Sequence, residues 1–283
     1  MKKLTLAIIV IAVIAIASYF IINSSSEKVV LTNDQINATS TNVVATSTVV
    51  VNKDKTILGQ SVEGREITAY HFGTGEKELL FIGGVHGGYG ANTVAVANEM
   101  MDFVKANPNF VPTNLKVTII PVLNPDGLAK TAGTDAARFN ANNVDLNRNF
   151  DCDWQASGVW QNKKVSGGTS AFSEPETLAL KNYVEINQPE AVVAWYSASG
   201  GVYSSNCHDG VLADTTALNK AYAKASGYIS TEDFDFYEIT GDLTNWLAKI
   251  NIPAISVLLT NHTDTEWTKN KAGIEAVLKY YSK

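Results

Sequence analysis

Short apolar runs alternate with helix-like stretches over most of the chain, and this alternation limits the fold more than any other feature. Runs typical of strands cover residues 65–71, 79–85, 115–123, 191–195 and 254–259. Helical spacing covers residues 93–104, 173–186, 215–226 and 266–281. Such an alternation predicts an α/β domain with a mainly parallel or mixed sheet flanked by helices.

Sheets of this kind bind their ligands outside the carboxyl ends of the strands. The segments that follow the predicted strands are therefore the places to look for chemistry. They are residue 86 and residues 124–148, 196–205 and 258–264.

The first 23 residues have the pattern of a membrane segment. Lys2 and Lys3 precede an uncharged run of 19 residues, 4–22. As a helix this run would span about 28 Å, close to the thickness of a bilayer core. The lysines should stay in the cytoplasm, so we expect a single-pass cell-membrane protein with an extracytoplasmic domain. The alternative is a signal peptide cleaved near Ala17, which would release the domain.

Residues 24–55 predict a linker of low complexity. The stretch is rich in Ser, Thr and Asn, and residues 38–44 are echoed by residues 45–50. Such a segment buries little apolar surface and need not fold, although its valines could add an edge strand. The remaining residues, 56–283, then form one domain.

The overall composition excludes several classes of protein. Apolar residues make up 45% and charged residues 18%, as in ordinary globular proteins. The net charge of −6 argues against a nucleic-acid partner. Two cysteines exclude a disulfide scaffold, but Cys152 and Cys207 each follow a predicted site segment. Outside the membrane they could form one disulfide; the alternative is two free thiols.

Several polar residues after the strands could carry chemistry. His86 lies between glycine pairs, which permit close approach of a metal or ligand. Arg148 stands between two asparagines and could present a fork of donors to a carboxylate. Arg138 adds a second cation, and Tyr237 precedes a flexible turn. Each of these signals is weak when taken alone.

Taken together in this order, the motifs resemble those of the zinc carboxypeptidase family, the carboxypeptidase A and B type of exopeptidase. The marks are Gly-Gly-Val-His86-Gly-Gly, Asn124-Pro-Asp-Gly127, Arg138, Val144-Asp-Leu-Asn-Arg-Asn-Phe150, Ser173-Glu-Pro-Glu176 and Tyr237 followed by Thr240-Gly241. The resemblance covers about residues 58–281. It implies a mixed eight-stranded sheet flanked by helices.

The substrate-binding half of the family site is present. By resemblance, Asn147 and Arg148 hold the C-terminal carboxylate of a peptide, and Arg138 stabilises the oxyanion. Tyr237 matches the mobile tyrosine that closes over the substrate. Asp242 lies near the position that shapes the side-chain pocket, where a carboxylate would favour a basic terminal residue. It could also, or instead, cap the helix that follows.

The metal-binding half departs from the family. His86 matches the first zinc ligand, and Asp145 matches the acid that orients it. The glutamate ligand should stand three or four residues after His86, where this chain has Tyr89 and Gly90. The zinc expected from the resemblance is thus left with an incomplete set of ligands.

Two further family positions are replaced. Tyr196 stands where the second histidine ligand should end its strand, and Leu258 stands where the general-base glutamate is expected. A leucine cannot activate water. Of the other histidines, His208 and His262 follow site-bearing strands and could approach, whereas His71 lies on an early strand.

Three functions remain open at this point. The first is an extracytoplasmic domain that recognises free C-termini of peptides or proteins and is catalytically impaired. The second is an active metallocarboxypeptidase with a rearranged metal site. The third is a non-catalytic envelope scaffold.

Overall fold

The computed structural model describes residues 54–283, and the predicted membrane segment and nearly all of the predicted linker lie outside them. Ten strands are present in this part: β1 (Lys55–Gln60), β2 (Glu66–Phe72), β3 (Lys77–Ile82), β4 (Leu115–Ile120), β5 (Ser157–Trp160), β6 (Lys163–Ser166), β7 (Ala191–Ser197), β8 (Gly201–Ser204), β9 (Ile229–Thr231) and β10 (Ala254–Leu259). Eight of them form one sheet in the order β1-β2-β4-β3-β7-β10-β8-β9, while β5 and β6 pair separately as a hairpin.

The centre of the sheet is parallel. Strand β3 pairs in parallel with β4 on one side and with β7 on the other, and β7 pairs in parallel with β10. The flanking pairs β1–β2, β2–β4 and β8–β10 are antiparallel. The sheet is therefore mixed and eight-stranded, which confirms the predicted fold class.

Helices cover both faces of the sheet. They are α1 (Ala91–Ala106), α2 (Pro125–Leu128), α3 (Pro175–Asn187), α4 (Ala213–Ser226), α5 (Leu243–Lys249) and α6 (Trp267–Tyr281). One buried core joins a sheet face to α1, α4 and α6, and the other joins the opposite face to α3 and α5. Because side chains alternate across a strand, Trp195 belongs to the first core and Tyr196 to the second.

The strands that sequence patterns missed are β1, β5, β6, β8 and β9. They are short or lie at edges, and β9 has three residues. Short edge strands carry little alternation, so their sequences resemble loops. The predicted start of the domain at residue 56 falls one residue inside β1. Within residues 54–283, none of the helices is long and apolar enough to cross a membrane.

The two cysteines are joined. A disulfide links Cys152 to Cys207 across 55 residues. Both side chains are buried with Ala248 of α5. The backbone of Cys152 also accepts a hydrogen bond from the N–H of Gly241 at 2.7 Å, and the segment before α5 is thereby held beside the disulfide.

Candidate functional site

A cavity of about 1000 Å³ opens at the carboxyl ends of the central strands. Its walls include most of the residues singled out from the sequence: His86, Arg138, Asn147, Tyr196, Tyr237, Asp242 and Leu258. The parallel register explains why they meet. Leu258 of β10 pairs directly with Tyr196 of β7, and both side chains belong to the core on the α5 side.

His86 enters the cavity wall just after β3. The next residue, Gly87, has a φ of +45°, and a Cβ there would lie 2.6 Å from the backbone of Gly127, so the tight turn requires glycine. The imidazole is buried, and its Nε2 lies 3.5 Å from Oδ1 of Asp145. Burial, and then the nearby charge of Arg138, lowers the pKa of His86 to about 4, so the ring is neutral at pH 7.

Asp145 holds Arg138 in the wall. Nε and Nη2 of Arg138 both lie 2.9 Å from Oδ2 of the buried carboxylate. Burial, the largest single effect, would raise the pKa of the Asp145 carboxyl, but the charge of Arg138 together with smaller contributions from His86 and Arg148 outweighs it and holds that pKa well below its usual range. The guanidinium carbon also lies 4.5 Å from the ring centroid of Trp160. The charge of Arg138 is therefore already paired.

Asn147 is fixed by three hydrogen bonds. Its Oδ1 accepts from the hydroxyl of Tyr196 at 3.0 Å and from the N–H of Leu243 at 3.2 Å, while its Nδ2 donates to Oδ2 of Asp242 at 2.7 Å. Burial, and then the charges of Asp242 and Asp145, raises the pKa of Tyr196 well above its ordinary value. The phenol thus stays protonated and donates to Asn147.

Asp242 serves as the N-cap of α5. Its Oδ1 accepts hydrogen bonds from the N–H of Asn245 at 2.9 Å and from the hydroxyl of Thr244 at 2.8 Å. Its second oxygen binds Asn147, and the carboxylate also lines the cavity. The two roles that the sequence left open for Asp242, helix cap and cavity carboxylate, are thus compatible in one geometry.

Arg148 lies beneath the wall rather than among the described residues that line the cavity. Its side chain is 1% exposed. Nη1 donates to the carbonyl of Asn147 at 2.7 Å, and Nη2 donates to the carbonyl of Val159 at 2.9 Å. Its guanidinium carbon lies 5.7 Å from the ring centroid of Tyr237, whose half-buried side chain lines the cavity.

The positions expected to supply the glutamate ligand differ in their surroundings. The ring of Tyr89 packs against Trp160 and His262, at centroid distances of 5.0 and 4.6 Å. Gly90 has space beside His86: a Cβ built there would lie 3.9 Å from Cβ of His86, and its nearest neighbour would be 3.7 Å away. Position 90 is therefore the one from which a carboxylate would reach the site.

The residues present do not fit a three-ligand zinc site. Tyr196 is a protonated phenol, Leu258 has no donor atom, and Gly90 has no side chain. The other histidines have other partners: His208 pairs with Asp153 at 2.8 Å, His262 packs on Tyr89, and His71 contacts Thr118 at 3.0 Å on the far part of the sheet. In the part of the chain from 54 to 283, no three His, Cys, Asp or Glu side chains form a group that could hold a metal.

Two parts of the site were missed in the sequence. Trp160, which packs on Arg138, comes from the unpredicted hairpin of β5 and β6. The loop before α5, from which the sequence predicted Tyr237, also lines the cavity with acidic and aromatic side chains that were not predicted, Asp233, Phe234, Asp235 and Phe236. The alternation of acidic and aromatic residues at positions 233–236 is the sequence signal that could have indicated this wall of the cavity.

Comparison with known proteins identifies related chains. The family model described as zinc carboxypeptidase matches residues 50–278. The catalytic chain of Homo sapiens carboxypeptidase N is 28% identical over 186 residues, which are 58% of this chain and 39% of that protein. Carboxypeptidase E of Caenorhabditis elegans is 29% identical over 221 residues, which are 68% of this chain and 43% of that protein. The chain thus spans less than half the length of these relatives.

Solved structures show the same fold. Murein-tripeptide amidase MpaA from Escherichia coli O157 superposes with a TM-score of 0.61 and 22% identity, covering 79% of this chain and 90% of that one. Bovine thrombin-activatable fibrinolysis inhibitor, in complex with tick carboxypeptidase inhibitor, gives a TM-score of 0.65 and 18% identity, covering 81% and 88%.

Restoring the missing donors should create a zinc site. We expect the triple variant Gly90→Glu, Tyr196→His and Leu258→Glu to retain about one zinc per chain after dialysis, because a carboxylate and a second imidazole would then stand beside His86. Metal analysis of the full chain measures this. The control is the same triple variant with His86→Ala, which should retain much less zinc. A triple variant that keeps its fold but retains no zinc would contradict the assignment of these positions.

Proposed function

Because the chain belongs to the zinc carboxypeptidase family, we propose that its domain binds the free C-terminus of a peptide and does not hydrolyse it. The observation that carries the proposal is the hydrogen bond from Tyr196 to Asn147. It joins Tyr196, which stands at a replaced metal-ligand position, to Asn147 of the carboxylate-binding pair. The replacement therefore helps to orient a residue of the binding half of the site.

The binding half supports recognition of a peptide end. A cavity of about 1000 Å³ is large enough for several ligand residues. Arg138, Asn147 and Tyr237 reach its walls, and Asn147 is held in one orientation by its three partners. Such preorganisation lowers the entropic cost of binding.

The side chains at the expected ligand positions disfavour hydrolysis. Hydrolysis in this family is zinc-dependent, and a catalytic zinc needs three protein ligands and a position for water. His86 alone of the expected ligands is an imidazole or carboxylate here. Leu258 is buried at the position of the general base and cannot accept a proton from water.

A basic terminal residue is the favoured ligand. Among the described residues that line the cavity, the carboxylates are Asp153, Asp233, Asp235, Glu238 and Asp242. The basic side chains lining it are His86, whose ring is neutral, Arg138, which is paired with Asp145, and His208, which is paired with Asp153. A lysine or arginine side chain entering the cavity would therefore meet an acidic environment.

We also propose an extracytoplasmic, membrane-tethered location. The apolar run of residues 4–22 behind two lysines supports an anchor. The disulfide between Cys152 and Cys207 supports an oxidising compartment.

An envelope scaffold would show neither peptide binding nor any effect of changing Arg148.

The ligand carboxylate should matter for binding. We expect a peptide ending in a free carboxylate to bind the full chain at least about tenfold more tightly than the same peptide amidated at its C-terminus, because a charge-assisted hydrogen bond is worth about 1.5–3 kcal/mol. Isothermal titration with both peptides measures the ratio. In Arg148→Gln the ratio should fall towards one. Equal affinities for acid and amide in the unaltered chain would contradict C-terminus recognition.

Asp242 should set the preference for a basic end. We expect Asp242→Asn to reduce the ratio of affinities for Lys-terminated over Ala-terminated peptides by about tenfold, because one cavity charge is removed. Thermal melting checks the fold, since the same side chain caps α5. Asp102→Asn, on the exposed face of α1, is the matched control and should leave the ratio unchanged. If Asp242→Asn keeps the preference for lysine, the prediction is wrong and other cavity carboxylates determine the selectivity.

A further inference from the structure

The hairpin of β5 and β6 covers Arg148. Nη2 of the guanidinium donates to the carbonyl of Val159 on β5 at 2.9 Å. The side chain is 1% exposed, although Asn147 next to it lines the cavity. In this arrangement the terminal nitrogens of Arg148 are bound to backbone carbonyls, and a ligand carboxylate has no path to them.

The contact is close because β5 has a glycine above Arg148. A Cβ on Gly158 would lie 2.9 Å from Cδ of Arg148, 3.0 Å from Oγ1 of Thr240 and 3.1 Å from Nε of Arg148. These distances are shorter than ordinary packing of a Cβ allows. Strand β5 therefore lies directly on the arginine side chain.

The same hairpin covers the second arginine of the site. The ring of Trp160 lies 4.5 Å from the guanidinium carbon of Arg138. Gln161 and Asn162, at the turn, line the cavity. Lys163 then forms an ion pair with Asp135, which is the first residue of the helical turn that ends at Arg138. One hairpin thus contacts both cations assigned to the ligand.

Two of the buried polar atoms that have no hydrogen-bond partner in the described part of the chain lie under the hairpin. They are Nε of Arg148 and Oγ1 of Thr240, both beside Gly158. A buried donor without an acceptor disfavours the state that contains it. A carboxylate that entered beneath β5 would supply acceptors at this place.

We propose that the hairpin formed by residues 157–166 is a gate over Arg148, and that it lifts to admit the C-terminal carboxylate of a peptide. The proposal rests on the proposed function, since it assigns a step in the binding of the same ligand. Val159, through its carbonyl, and Gly158, through its close approach, are positioning residues for the guanidinium.

A locked hairpin tests the gate. In the full chain, Lys163→Cys and Asp135→Cys replace an exposed ion pair, and a short bismaleimide joins the two thiols. The native cysteines are tied in the disulfide and do not compete. The control is the same double variant in which each of the two thiols is modified with its own N-ethylmaleimide, so that the thiols are not joined. Stopped-flow association is measured with a Lys-terminated peptide as the free acid and as the amide.

We expect the cross-link to slow association of the acid at least tenfold and to bring the acid-over-amide affinity ratio towards one, while the capped control keeps both. Unchanged association of the acid in the cross-linked protein would overturn the gate. Equal binding of acid and amide in the uncross-linked chain would instead overturn the proposed function, so the two failures are distinct.

A second variant opens the gate. Gly158→Ala places a methyl group against Arg148 and should speed association of the acid several-fold without speeding that of the amide. Asp102→Asn, on the exposed face of α1 and outside the hairpin, is the control and should leave both rates unchanged. An unaltered rate for the acid in a folded Gly158→Ala protein also overturns the gate. If Gly158→Ala does not fold, the cross-link decides the question.

Discussion

The site is organised around the buried carboxylate of Asp145. It accepts hydrogen bonds from Nε and Nη2 of Arg138 and from the N–H of Asn147, the last at 3.1 Å. It also lies 3.5 Å from Nε2 of His86. Its own N–H donates to the carbonyl of Ser166 at the end of β6. A buried ion pair that loses one partner costs about 3–5 kcal/mol, so Arg138 and Asp145 hold each other in place. The cavity wall therefore depends on the Asp145 carboxylate, and the hairpin is joined to the same residue through its backbone.

The replacements at the chemical positions are compatible with this framework. Tyr196 fills its place with a ring and reaches Asn147 with its hydroxyl, so the buried polar group is satisfied. Leu258 extends the apolar core beneath the cavity. Both side chains form part of a fixed wall, and on the other side of the site Arg138 and Asn147 are held by Asp145 and Asp242. In the proposed function, the framework around Asp145 holds the surface that binds the peptide end.

Much of the fold followed from the sequence, because β3, β4, β7 and β10 are long apolar strands whose pattern is clear. Their parallel order brought His86, Tyr196 and Leu258 to one edge of the sheet, where sequence reasoning expected them. The position of Arg148 was not predictable, because it depends on contact with β5, a four-residue strand without alternation. The choice between positions 89 and 90 also needed coordinates, since it turns on where the ring of Tyr89 packs.

The central claim is that the domain binds peptide ends without hydrolysing them. The most direct measurement is the zinc content of the full chain after zinc loading and dialysis, together with release of C-terminal residues from peptides by the same sample. The account predicts zinc far below one ion per chain and no released amino acid. Near one zinc per chain with release of terminal residues would contradict it, and His208 and His262 would then be the first residues to replace.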